Sequence, residues 1–165
     1  MTRRRLLRSR SKDSRGASLV EFALVVPLFL ILVMGIIDFS MTYNDYNSVR
    51  QGTAAGARQG VVDTLNGVSC SGTTSQKLAC LTKQLVGLDA SKTKVKISLP
   101  TTYSVGETLR VCTMYQFRSI TGMFNSVLNN RIAKAKIDMR IEKLDASPMT
   151  NYSETALAGQ DWSWC

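Results

Sequence analysis

From Phe22 to Ile37 the chain carries no charged residue, and counted from Ala17 the apolar run covers about 31 Å at ~1.5 Å per helical residue. That length matches the ~30 Å hydrocarbon core of a bilayer, so the pattern predicts a membrane-spanning helix over 17–38. Past Asp38 the pattern changes without breaking. Phe39, Tyr43, Tyr46, Val49 or Arg50, Thr53, Ala57, Val61 and Leu65 recur at helical spacing, and no proline follows until Pro100. The reading is one helix of about 45–50 residues, apolar all round in its first half and amphipathic over 39–66.

Within that second half, Gly52, Gly56 and Gly60 each weaken the helix by ~1 kcal/mol relative to alanine, so packing must hold it. Their small size permits close approach of a sheet or of another helix. Tyr43 and Tyr46 fit an interfacial belt or core packing equally well. Pro27 removes one backbone hydrogen bond inside the apolar run, which makes it either a hinge or a tolerated bend.

After a loop at 67–74 and a short helix over 75–85, the period falls to two. Residues 94–99, 108–115 and 133–142 alternate polar with apolar, which predicts three half-buried strands. Residues 100–107 make the first turn, and 118–132 cross as a loop with a short helix. An antiparallel meander laid on the second half of the long helix buries both apolar faces, an α+β arrangement. The domain plan is a basic leader (1–16), a span (17–38), a helical continuation (39–66) and a sheet domain (67–165).

The formal charge of +9 is concentrated at the front of the 165-residue chain. Arg3, Arg4, Arg5, Arg8, Arg10, Lys12 and Arg15 are opposed there only by Asp13. A nucleic-acid footprint needs basic residues on a folded face with stacking aromatics, and this leader has no aromatic residue. Basic residues flanking a span stay in the cytoplasm, which puts the N-terminus inside and everything beyond Asp38 outside the cytoplasmic membrane. A cleaved signal peptide has a similar outline, but this run is long for a signal core and no small-x-small site follows it.

Cys70, Cys80, Cys112 and Cys165 all fall on the outer side, where an oxidising compartment favours disulfides. Three pairings exist. Cys70 with Cys80, closing a short polar loop, and Cys112 with Cys165, stapling the tail, is the favoured one. The first bridge would contribute roughly 2–3 kcal/mol. Trp162 and Trp164 beside the last cysteine point to a docked end, with a ligand-binding aromatic patch or an intermolecular thiol as the alternatives. There is no histidine and no Cys-x-x-Cys, so metal, cofactor and redox chemistry lack support. The outer carboxylates form no recognisable catalytic pair and no phosphate-cradling loop is present, so the chain reads as no enzyme.

Two accounts of Glu21 stand side by side. Ser18 and Glu21 form a Ser-x-x-Glu capping box, and a carboxylate in a first helical turn meets the positive end of the dipole. Yet an ionisable group at the head of an apolar span is a functional suspect. The ordered string Arg15-Gly16-Ala17-Ser18-Leu19-Val20-Glu21-Phe22, continued through Pro27 and on to Gly35-Ile36-Ile37-Asp38-Phe39, closely resembles the TadE-like pseudopilins of tight-adherence (Flp-type) pilus systems. The Gly-Ala-Arg at 56–58 and the closing strand Asp138-Met139-Arg140-Ile141-Glu142 are similar to that family too.

The resemblance implies a pilin-like fold and a minor pilin or pseudopilin. A prepilin peptidase would cut between Gly16 and Ala17, and Glu21, now the fifth residue, would pair with the new amine of a neighbouring subunit. Phe22 and Pro27 would belong to the same assembly surface. The implied partners are the prepilin peptidase, other pilins and the pilus assembly platform. The alternatives are an unprocessed, membrane-anchored extracytoplasmic binding domain and a domain released near Asp38.

Overall fold

The computed structural model describes residues 15–62, 65, 69–129, 131–144 and 147–165. Of the basic leader only Arg15 and Gly16 fall inside that range. The elements in order are α1 (Arg15–Val61), α2 (Thr74–Val86), β1 (Thr93–Ser98), β2 (Thr108–Gln116), α3 (Asn125–Leu128), β3 (Ile132–Arg140) and β4 (Tyr152–Ser153). The layout is α+β: one long N-terminal helix followed by a small antiparallel sheet.

The 47 residues of α1 run through Pro27 without a break. Two expectations about its ends are corrected. The helix is already under way at Arg15, so Ser18 and Glu21 stand inside it, and the Ser-x-x-Glu pair is no N-terminal capping box. At the other end the helix stops at Val61 and does not continue to Leu65. There the Val61 carbonyl accepts hydrogen bonds from the backbone N–H groups of Glu142 and Lys143, both at 3.0 Å, which satisfies an orphan helical acceptor from outside the helix.

From Val49 onward the buried side of α1 is the expected one, with Val49, Thr53, Ala57 and Val61 buried, but nearer the arm it differs. Gly35, Asp38, Val49, Gly52 and Gly56 are buried, and Thr42 and Asp45 half-buried, in alternating steps of three and four. This is the 3.5-residue repeat of a packing seam. Phe39 and Tyr43 lie off that seam and are 51% and 68% exposed.

Helix α2 lies across the glycines of the seam. A Cβ at Gly52 would stand 2.5 Å from the backbone of Val86, one at Gly60 would stand 2.6 Å from Leu78 Cδ2, and one at Gly56 would collide with Thr82. The small residues thus admit a second helix. The hydroxyls of Thr53 and Thr82 turn back to the carbonyls of Val49 and Leu78, which leaves no unpaired polar atom of theirs in the contact. A capping box closes the start of α2, between Thr73 and Gln76, and Gly87 ends it at φ 69°, a left-handed backbone suited to glycine.

The sheet has the order β3-β2-β1-β4, all antiparallel. Val95 faces Thr113 and Ile97 faces Val111, while Val111 faces Ile137 and Thr113 faces Ala135; this face packs on the helices. Tyr115, Phe117, Ala133 and Ala135 gather around Val49 and Val86 at one end of the sheet. Leu109 and Ile141 join Ala57, Val61 and Leu78 toward the other. The chain of β2 therefore runs back along α1 in the opposite sense. The two-residue β4 pairs with Lys96 and Ile97 and is a strand that no alternation announced.

The opposite face of the sheet is covered by the tail. Cys112 is joined to Cys165 and Cys70 to Cys80. Trp162 Nε1 donates to the Glu154 carbonyl at 2.9 Å, and its ring lies 5.9 Å from that of Trp164. The Trp164 ring in turn receives Lys134 Nζ at 5.5 Å. Arg110 forks onto Asp138 at 2.8 and 3.0 Å and donates a further bond to the Cys165 carbonyl. The Arg110 hydrogen bonds hold the Asp138 carboxyl below its ordinary range.

Two outcomes follow for stability. Gly52→Ala places a methyl against immovable backbone and is expected to destabilise by about 1–3 kcal/mol in a thermal melt, whereas Gly60→Ala meets only leucine side-chain ends and should cost less. For the bridges, loop entropy ranks the 53-residue closure at about 4 kcal/mol and the 10-residue closure at roughly 2–3 kcal/mol. Serine replacement of Cys112 and Cys165 together is therefore expected to lower the melting temperature more than replacement of Cys70 and Cys80. An equal drop would contradict that ranking.

Candidate assembly site

Gly16, Ala17, Glu21, Phe22 and Pro27 all sit on the first third of α1, and each is exposed. The helix here is long and apolar enough to cross a membrane, and its most apolar stretch is not buried against the described domain. Leu19, Phe22, Leu24, Leu28 and Phe29 point outward on every side. A helix that is apolar all round and uncovered has its stabilising environment outside its own chain.

At the head of this arm a Cβ on Gly16 would meet nothing within 4 Å. Ala17 and Glu21 are one turn apart, ~6 Å along the axis, on one face. Among the described residues the Glu21 carboxylate has no partner. A positive group delivered to this face from elsewhere would meet an uncompensated acceptor beside apolar side chains.

Three turns beyond the middle of the arm, just past the packing of Phe124 on Gly35, Asp38 ties the folded domain to α1. Its side chain is 1% exposed. Oδ2 accepts from Ser119 Oγ and from Thr121 Oγ1, each at 2.7 Å, and Oδ1 accepts from the backbone N–H groups of Ile120 and Thr121, each at 3.0 Å. Ser119 Oγ also receives the Gly122 N–H at 3.0 Å, and Gly122 turns the chain at φ 79°. Four donors satisfy a carboxylate that water no longer reaches. Below it, Phe124 packs on Gly35 and lies 5.8 Å from the Phe39 ring. One turn and more above it, burial pushes the Asp45 carboxyl up, opposed by the hydrogen bond that the Tyr115 hydroxyl donates to it.

Sequence reading placed Asp38 at the edge of the apolar run and assigned it nothing further. Its donors lie 81 to 83 residues away, beyond the reach of any local pattern. The available signal was the charge itself: one carboxylate closing a long apolar helix requires donors, and Ser119-Ile120-Thr121-Gly122 supplies hydroxyls and a turn.

Elsewhere, an open groove of about 750 Å³ runs between α2 and β4, lined among others by Gln76, Cys80, Lys83, Gln84, Tyr152 and Glu154. Its charged groups are spent on each other, since Lys83 Nζ and Glu154 Oε1 pair at 2.6 Å. No cluster of three metal-ligating side chains occurs among the described residues.

Replacement of Asp38 by alanine strands two backbone donors and two hydroxyls and is expected to cost about 3 kcal/mol. Amide exchange at Ile120 and Thr121 should then accelerate on the order of 100-fold in intact protein. Unchanged exchange at these two amides would show that the loop is held by other contacts.

With this geometry in place, comparison with known proteins adds one finding. A family model described as TadE-like protein matches residues 16–58. No match was found among curated proteins, and none among solved structures. The matched residues are about a quarter of the chain, and they comprise the free arm of α1, Asp38 and the glycine seam up to Arg58. Across that segment, the one that carries the exposed Gly16–Glu21 head and the Asp38 contact, the chain is similar to TadE-like proteins.

Proposed function

We propose that the chain is a non-enzymatic minor pilin or pseudopilin of a tight-adherence (Flp-type) pilus system. It is held in the cytoplasmic membrane by the first half of α1, with the N-terminus cytoplasmic and the disulfide-bonded domain outside. The observation that carries this reading is the bare apolar arm over 16–32, standing clear of a folded domain, within the segment that matches the TadE-like model.

In this reading a prepilin peptidase reaches Gly16, which no side chain of the described domain shields, and cuts the Gly16–Ala17 bond. The cut removes a strongly basic leader from the positive end of the helix dipole and leaves one amine. That amine lies on the same helical face as Glu21, so two adjacent arms offset along their axes pair the carboxylate of one with the amine of the other. Leu19, Phe22 and Leu24 supply the apolar surface between such arms, and Pro27 frees the Ala23 carbonyl for a neighbour. The pilus assembly platform is the further partner. The partly buried Trp162 and Trp164 and the paired charges of the groove support docking and packing more than ligand capture.

The test is intact mass and N-terminal sequencing of the protein from membranes of cells with and without their prepilin peptidase. The mature chain is expected to start at Ala17 only where the peptidase is present, and Glu21→Gln is expected to be cut normally yet to be depleted from assembled pili. A chain that keeps residues 1–16 in the presence of active peptidase would leave the unprocessed, membrane-anchored binding domain as the better account.

A further inference from the structure

The segment from Phe117 to Arg131, which includes α3, descends from the end of β2 and is clamped against α1 at the level of Gly35 to Phe39. Its place is set by Asp38, which holds the N–H groups of Ile120 and Thr121, and by Phe124, whose ring lies 3.4 Å from where a Cβ on Gly35 would stand. Gly35 belongs to the uncharged run, ~4.5 Å along the axis before Asp38, the charge that closes it. The loop therefore reaches past that charge to the level of the apolar arm.

Beside the exposed Gly122, Asn125 and Ser126 it shows three large apolar side chains. Ile120, Met123 and Val127 are 60%, 49% and 48% exposed, beside the similarly exposed Ile36, Ile37 and Phe39 of α1. The two sets form one apolar surface continuous with the arm. Arg118 and Arg131, at the loop's two ends, are exposed on its sheet side, where cations flank an apolar tip.

A second, independent observation concerns the backbone. Irregular chain in hydrocarbon is tolerated only when its polar groups are satisfied internally. Here the N–H of Ser119 goes to Asn129 Oδ1, those of Ile120 and Thr121 to Asp38, that of Gly122 to Ser119 Oγ, and that of Met123 to Thr121 Oγ1. Those of Val127 and Leu128 go to the Phe124 carbonyl.

We propose that residues 119–128 dip into the outer leaflet of the bilayer that α1 spans, as a second membrane contact made by lipid acyl chains on Ile120, Met123 and Val127. The proposal rests on reading α1 as a span. Two contacts at different points fix the rotation of α1 about its own axis and the tilt of the sheet domain over the membrane, which one helix alone leaves free.

The experiment uses the full chain in lipid nanodiscs, one copy per disc, with Trp162→Phe and Trp164→Phe removing native emission. Single tryptophans are placed by Met123→Trp, Val127→Trp, Leu28→Trp at mid-arm and Val105→Trp at the far turn, which is 62% exposed and whose neighbour Gly106 bonds to Ile141 near the end of α1. Quenching is read with lipids brominated at a shallow or at a deep acyl position. Leu28→Trp is expected to be quenched most by the deep label, Met123→Trp and Val127→Trp by the shallow one, and Val105→Trp by neither. If Leu28→Trp is quenched while both loop probes match Val105→Trp, the second contact is overturned and the span stands; a protein partner then covers the patch. If Leu28→Trp is unquenched, the span reading itself fails and the proposal falls with it. The two loop probes are independent, so misfolding of one leaves the other to decide.

Discussion

A carboxylate shut away from water is tolerated only where donors surround it, and Asp38 obliges the rest of the chain to bring them. Its four donors come from a single turn, Ser119 to Thr121, which follows directly on the end of β2. For that turn to reach the helix at residue 38, β2 must run back along α1 from the region of Val61. The direction of the strand and a tertiary contact near the lower limit of the folded domain thus go with one buried charge. Above it the seam continues through Asp45, Val49, Gly52 and Gly56, where progressively smaller side chains let α2 in beside the sheet.

The same economy of polar groups recurs at the other end. Val61 closes α1 by lending its carbonyl to the chain that leaves β3, and Ile141, next to the two donors, fills the core beneath it. On the far side of the sheet the tail does what a second layer of helices does in larger domains: Met114 and Cys112 are buried under residues 157–165, and Arg110 with Asp138 seals the rim. A domain this small gains much from such a cover, since its own core has one helical layer only.

The elements that rest on local periodicity were legible in the sequence. The uncharged run named the long helix, alternation named β1 to β3 to within two residues at each end, and the spacing of polar loop and tail cysteines favoured the pairing that the structure has. What failed were readings that depend on where a regular pattern begins or which of its phases is used. Ser18 and Glu21 fit a cap, but the helix already includes Arg15. Phe39 and Tyr43 fit a four-residue spacing, but the seam alternates threes and fours and passes through Asp38 and Thr42 instead. β4 was too short to alternate. The role of Asp38 was unreadable because its partners are tertiary, while the residues proposed for processing and assembly rest on a sequence pattern that no contact among the described residues repeats.

One geometric fact has mechanical meaning. Because α1 is unbroken from the arm to Val61 and lies along the strands it covers, a tug on the arm acts parallel to β2 and at right angles to the ladder bonds joining it to β1 and β3. Such a force loads those bonds in shear, all at once, and does not unzip them one after another. The glycine contacts with α2 and the Cys112–Cys165 bridge stiffen the same unit from its two faces, so tension drawn along the helix is shared by the whole sheet.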